Sequence, residues 1–137
     1  MGSKRAVLAA AVAVALVAGA VQQVARAADE GGQYKVRAFG KVETCYALNR
    51  AVNSAKKEDD WGALYGFSLY TMGYLTGINR LASDTYDIGG RKNSKTLMVW
   101  LEKYCLDNPE HSFDAALYQL TAEIFPARTT RAPAESQ

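Results

Sequence analysis

Few residues in this chain have the types and spacing that chemistry needs. His111 is the only histidine. A nucleophile requires a base held within hydrogen-bond reach, and the base itself must be oriented by a third group. His111 falls between Pro109 and Ser112, in a turn where no helix fixes an acidic side chain beside it, so it reads as a surface residue. Asp84 and Asp87 stand three apart in a polar stretch and lack the ligand spacing of a calcium loop; they read as turn residues. Glycines 73, 77, 89 and 90 form neither G-x-G-x-x-G nor G-x-x-x-x-G-K-S, which excludes the usual phosphate loops. Cys45 and Cys105 have no C-x-x-C partner and one histidine between them, too few ligands for zinc. The residues therefore predict no catalytic group, no cofactor and no metal site.

The cysteines point to a different chemistry. The chain begins with Lys4-Arg5, an apolar run from Ala6 to Val21, and Ala25-Arg26-Ala27, the pattern of an export leader cut after Ala27. The competing reading is a retained anchor, since the run approaches the lower limit for a membrane span. In the oxidising compartment that export implies, an even pair of cysteines is most simply one disulfide; two buried thiols are the alternative. Cleavage also changes the charge. Lys4, Arg5 and Arg26 leave with the leader, so 13 of the 16 basic side chains remain against 14 acidic ones, and the net charge moves from +2 to −1. No basic cluster interleaved with aromatics remains, which excludes nucleic acid as a partner.

The elements that position these residues are helical. Residues 28–41 are a polar, then weakly alternating lead-in. Val42, Cys45, Leu48, Val52 and Ala55 recur at three and four, which predicts an inward-facing helix. Asp60 is placed to cap a second helix from Trp61 to Arg80, whose residues 61–79 include no charge. Gly62, Gly66, Gly73 and Gly77 fall within a stripe of about 60° on that helix. Each costs roughly 1 kcal/mol relative to alanine, so close approach of another helix, from this subunit or a partner, is expected there. Length alone would let this segment span a membrane, but four glycines, three tyrosines and several polar residues argue for the centre of a soluble bundle. Residues 81–93 carry Gly89-Gly90 and read as a loop. Ser94 opens a third helix with Leu97, Met98, Leu101 and Cys105 on one face, ended by Asp107-Asn108-Pro109. A fourth follows Ser112, with Phe113, Ala116, Leu117, Leu120 and Ile124 inward, and Pro126 stops it. Residues 127–137 read as a disordered tail. The expected fold is all-α: one domain over 42–126, about four helices around the glycine-striped one, stapled once by Cys45 and Cys105. Tyr65, Tyr70, Tyr74, Tyr86, Tyr104 and Tyr118 exceed what such a domain must bury, and tyrosine favours protein interfaces.

Cys45, the segment Gly73-Tyr74-Leu75-Thr76-Gly77-Ile78-Asn79, and the run from Trp100 through Tyr104 to Asn108-Pro109 resemble a group of small exported bacterial proteins. This group is related to the HdeA/HdeB acid-stress chaperones and to the Tai-like immunity proteins of type VI secretion amidase effectors. The resemblance covers about 42–125. It implies a periplasmic, disulfide-containing helical protein without catalytic residues. In the chaperones it implies a homodimer that opens in acid and holds unfolding client proteins. In the immunity proteins it implies stoichiometric binding of a protein partner. The 61–80 helix is closer to the G-Y-x-x-G helix of the Tai-like group. No stable membrane insertion is expected once the leader is removed.

Overall fold

The computed structural model describes residues 33–37 and 43–134. The expected leader over 1–27 and most of the lead-in lie outside them. The chain divides into a unit over 1–35 and a unit over 36–137; of the first, residues 33–35 are described and have no regular secondary structure.

Among its described residues the second unit is an all-α bundle of four helices, α1 (Cys45–Glu58), α2 (Gly62–Leu81), α3 (Ser94–Asp107) and α4 (Phe113–Ile124), followed by a 3-10 turn at Phe125–Ala127. Each helix starts where a side chain can satisfy an otherwise orphaned amide. The Thr44 hydroxyl accepts from Ala47 N at 3.1 Å, and the Ser112 hydroxyl from Ala115 N at 3.1 Å. Asp60 does the same for α2, its Oδ1 accepting from Gly62 N at 3.1 Å. At α3 the cap lies one residue earlier than expected: Asn93, not Ser94, accepts from both the amide and the hydroxyl of Thr96. Asn93 presents a carbonyl oxygen at the extended position, whereas Ser94 is already in the first turn.

The core takes Cys45, Leu48, Ala51, Val52 and Ala55 from α1, Leu97, Met98, Leu101 and Cys105 from α3, and Phe113, Ala116, Leu117, Leu120 and Ile124 from α4. These are the stripes that periodicity predicts, with Ala51 added to the first and Val42, expected to begin it, outside the described residues. The helix expected at the centre supplies the fewest fully buried residues, although Leu64, Tyr70, Met72, Tyr74 and Ile78 pack half-buried against the core. Only Phe67, Thr71 and Leu75 of α2 are buried, with Phe67 meeting Phe113 edge-on at 4.8 Å. The buried Thr71 hydroxyl donates to Phe67 O at 2.9 Å, so this polar group costs the core little.

The Cys45–Cys105 disulfide closes the bundle with a Cα–Cα distance of 4.7 Å. Around it, Cys45 N donates to His111 O at 3.0 Å, Phe113 N to Glu43 O at 3.0 Å, and Asn49 Nδ2 to Cys105 O at 2.9 Å. The staple therefore holds the start of α1 against the α3–α4 turn through backbone bonds as well as sulfur.

The segment read as a loop and the one read as a disordered tail are both built into the fold. Ile88, in the polar loop after α2, is fully buried. The expected tail is tied down at its start: Tyr86 N donates to Thr129 O at 2.8 Å, Thr129 N to Asp87 O at 2.9 Å, and Arg128 Nε to Asp84 O at 3.2 Å. Backbone amides and carbonyls, which composition does not display, make this bridge. Gly90 sits under it at φ +59°, where an added Cβ would lie 2.5 Å from Ala127 O.

Candidate binding surfaces

Among the described residues no cluster of His, Cys, Asp or Glu is arranged to hold a metal ion, and no helix is long and apolar enough to cross a membrane. Asp84 and Asp87 occupy turns: Asp84 has φ 50°, and the Asp87 carboxylate accepts from Gly89 N at 3.0 Å. His111 is exposed but engaged, with Nδ1 2.8 Å from the Tyr104 hydroxyl.

The glycine stripe lies on the outside. A Cβ built at Gly66, Gly73 or Gly77 meets nothing within 4 Å, and one at Gly62 meets only the Asp60 carboxylate at 3.4 Å. Among the described residues, therefore, no other helix makes the expected close approach. At 100° per residue the stripe centres about 150° away from Thr71, the middle of the buried face. The two edges of α2 differ. On one, Tyr65 and Leu69 are exposed by 64% and 55%. On the other, Tyr70 and Tyr74 turn toward α4, Tyr70 with its ring 6.3 Å from Phe113 and Tyr74 in a hydrogen bond with Thr121. Burial pushes the Tyr74 phenol above its ordinary value; the Thr121 bond opposes this and the Asp114 charge adds to it. Tyr70 is pushed in the same direction, by burial first and then by Asp114 and Tyr74.

Asn79, the last residue of the glycine segment, acts inside the fold. Its side-chain oxygen accepts from Ile88 N at 2.7 Å, which seats the buried isoleucine of the loop.

Beside the stripe, α1, α2 and α3 enclose an open apolar groove of about 550 Å³. Ala55 and Met98 are buried at its base and Leu64 is half-buried, while Trp61, Tyr65 and Val99 stand on its edges with more than half of their surface exposed. A Lys56–Glu102 ion pair at 3.5 Å closes one side. Sequence reading missed this groove, although a signal existed. A helix with no charge over 61–79 that packs only one side against the bundle must show apolar side chains on the other.

The remaining motif residues form a separate surface. Trp100 and Tyr104 stack with ring centroids 5.4 Å apart and planes 12° from parallel. Trp100 Nε1 donates to Glu123 Oε2 at 2.9 Å, and Asn108 Nδ2 donates to Tyr104 O at 2.9 Å. Pro109 is exposed in the turn beyond. The fold brings Trp100, Tyr104 and Asn108, which the sequence motif groups together, to one shelf. Comparison with family models, with curated proteins and with solved structures finds no match for this chain.

Proposed function

We propose that this protein is a non-enzymatic, periplasmic binding module that engages a folded protein partner at neutral pH, as its resemblance to the Tai-like immunity group implies. One observation carries the reading. Helix α2 has no charge over 61–79 yet buries only Phe67, Thr71 and Leu75, so its outer side offers a continuous uncharged surface. Trp61, Tyr65 and Leu69 supply large apolar contacts there, and the unmet glycines admit a close backbone. The disulfide is compatible with an exported protein.

The test is co-expression with the product of the adjacent gene, followed by light scattering on the purified mixture at neutral pH. A stable complex is expected. Gly73→Leu and Gly77→Leu should abolish it while the free protein keeps its circular dichroism, because a Cβ at either position meets no atom of the described residues within 4 Å. A complex that survives both substitutions removes α2 from the interface, and the absence of any complex removes the reading.

The charge count favours a second reading, the acid-stress holdase of the HdeA type. With every carboxylate protonated and His111 charged, the processed chain moves from −1 to +14, and self-repulsion then favours opening. A hydrophobic dye and a client-aggregation assay below about pH 3 address it. A protein that stays closed and inert in acid excludes it.

A further inference from the structure

The shelf on α3 lies outside the surface proposed above and has the parts of a recognition site. Trp100 and Tyr104, one turn apart, are stacked nearly parallel, and the stack is anchored at both ends. Glu123 holds the indole nitrogen at 2.9 Å, and His111 Nδ1 lies 2.8 Å from the phenol hydroxyl. The rings are thus preorganised, so a ligand would order little on binding. They open into a cavity of about 360 Å³ whose other walls are Lys103, Asp107, Asn108 and Glu123.

The chemistry of this cavity is that of a cation site. Glu123 spends Oε2 on the indole and keeps Oε1 available. Asp107 makes no ion pair; the one ion pair among the described residues joins Lys56 and Glu102. Two carboxylates against Lys103 leave a net negative wall beside an aromatic face, and the negative face of an aromatic ring attracts cations. Lys103 is exposed, and its flexible stem lets the ammonium swing into solvent. Between an ammonium and a guanidinium, the flat, stacked rings favour the planar ion, which lies on an aromatic face while its fork bonds carboxylates. The fold already sets one guanidinium on an aromatic face, Arg128 at 4.0 Å from the Phe125 ring centre, with its N–H groups donating to the backbone carbonyls of Asp84 and Phe125.

We propose that the cavity over the Trp100–Tyr104 stack binds a guanidinium group, with the aromatic stack as its platform and Glu123 and Asp107 as its counter-charges.

Trp61 and Trp100 are the only tryptophans, so in a Trp61→Phe protein the fluorescence reports on the shelf alone. Titration with N-acetylarginine amide should give a saturable change, and the neutral isostere N-acetylcitrulline amide should give none. Free arginine is the second arm: if it binds as well, the site reads the guanidinium wherever it is carried, and if it does not, the site reads arginine within a chain. Glu123→Gln, which still accepts from the indole, and Asp107→Asn should each weaken binding about three- to tenfold. Lys103→Gln should tighten it about twofold, a gain that a purely structural role for these residues would not produce. Equal binding of the citrulline compound, no saturable change with either arginine compound, or unchanged affinity in both carboxylate variants overturns the proposal.

Discussion

Asn79 shows what one side chain does when a helix end and a buried loop meet. Its carboxamide oxygen satisfies the amide of Ile88, a residue with no exposed surface. Removing the acceptor leaves a donor in a part of the core that water does not reach. Asn79→Ala should therefore destabilise the fold by about 1–3 kcal/mol, read as a lower denaturant midpoint with an unchanged slope. Tyr74 supports a prediction about pH. Its folded-state value lies above the ordinary 10.0, chiefly through burial. The fold thus favours the neutral phenol, and this contribution is complete below the unfolded tyrosine value. It is lost as pH rises through the folded value, because the unfolded chain ionises first. Thermal stability should hold up to about pH 10 and then fall, and Tyr74→Phe should flatten the decline, with Tyr70 supplying what remains. Neither role was legible in the sequence. A motif singles out Asn79 and Tyr74 without saying that one caps a loop nine residues on and the other meets Thr121 of another helix.

The bounds of α2, α3 and α4 were legible to within a residue or two, because their apolar stripes and caps are local features, whereas α1, expected from Val42 to about Ala55, runs Cys45–Glu58. The role of α2 was not legible. Its missing charges and its glycines read as the marks of a buried central helix, whereas the structure fully buries three residues, half-buries those flanking them and turns the glycines outward. Periodicity gives the angle between two faces of a helix but does not say which faces find partners in the same chain. The outward placement reverses the sign of a mutational effect. In the free protein, Gly73→Ala and Gly77→Ala remove backbone freedom from the unfolded chain and add no clash, so each should stabilise by about 0.5–1 kcal/mol. Thermal melts of the two variants check this, and a loss of stability in both would mean that a helix of this subunit approaches the stripe after all. The loop after α2 behaves in the opposite way. Gly90 combines φ +59° with a carbonyl 2.5 Å from where a Cβ would stand, so glycine is required there by the strand-like bridge to Thr129.

At the scale of the whole molecule the disulfide is the principal constraint. It links residues 60 apart and sits where α1, α3 and the start of α4 converge. On the chain-entropy view, a loop of that length stabilises the fold by about 4 kcal/mol, a large share of what a small domain has. Cys45→Ser with Cys105→Ser should lower the melting temperature by tens of degrees or leave the chain unfolded at about 37 °C; a shift of only a few degrees would show that the surrounding backbone bonds suffice. The sequence by itself determined the helical class, the inward stripes of α1, α3 and α4, and the pairing of its two cysteines, since these follow from short-range periodicity and from a choice of one possible partner. Only the tertiary structure decided that Ile88 is core, that residues 127–129 belong to the fold, that an apolar groove opens beside α2, and that the glycine stripe faces away from the bundle. Those outcomes depend on contacts between segments far apart in the chain, where backbone amides and unused helix faces choose their partners, and no local pattern records that choice.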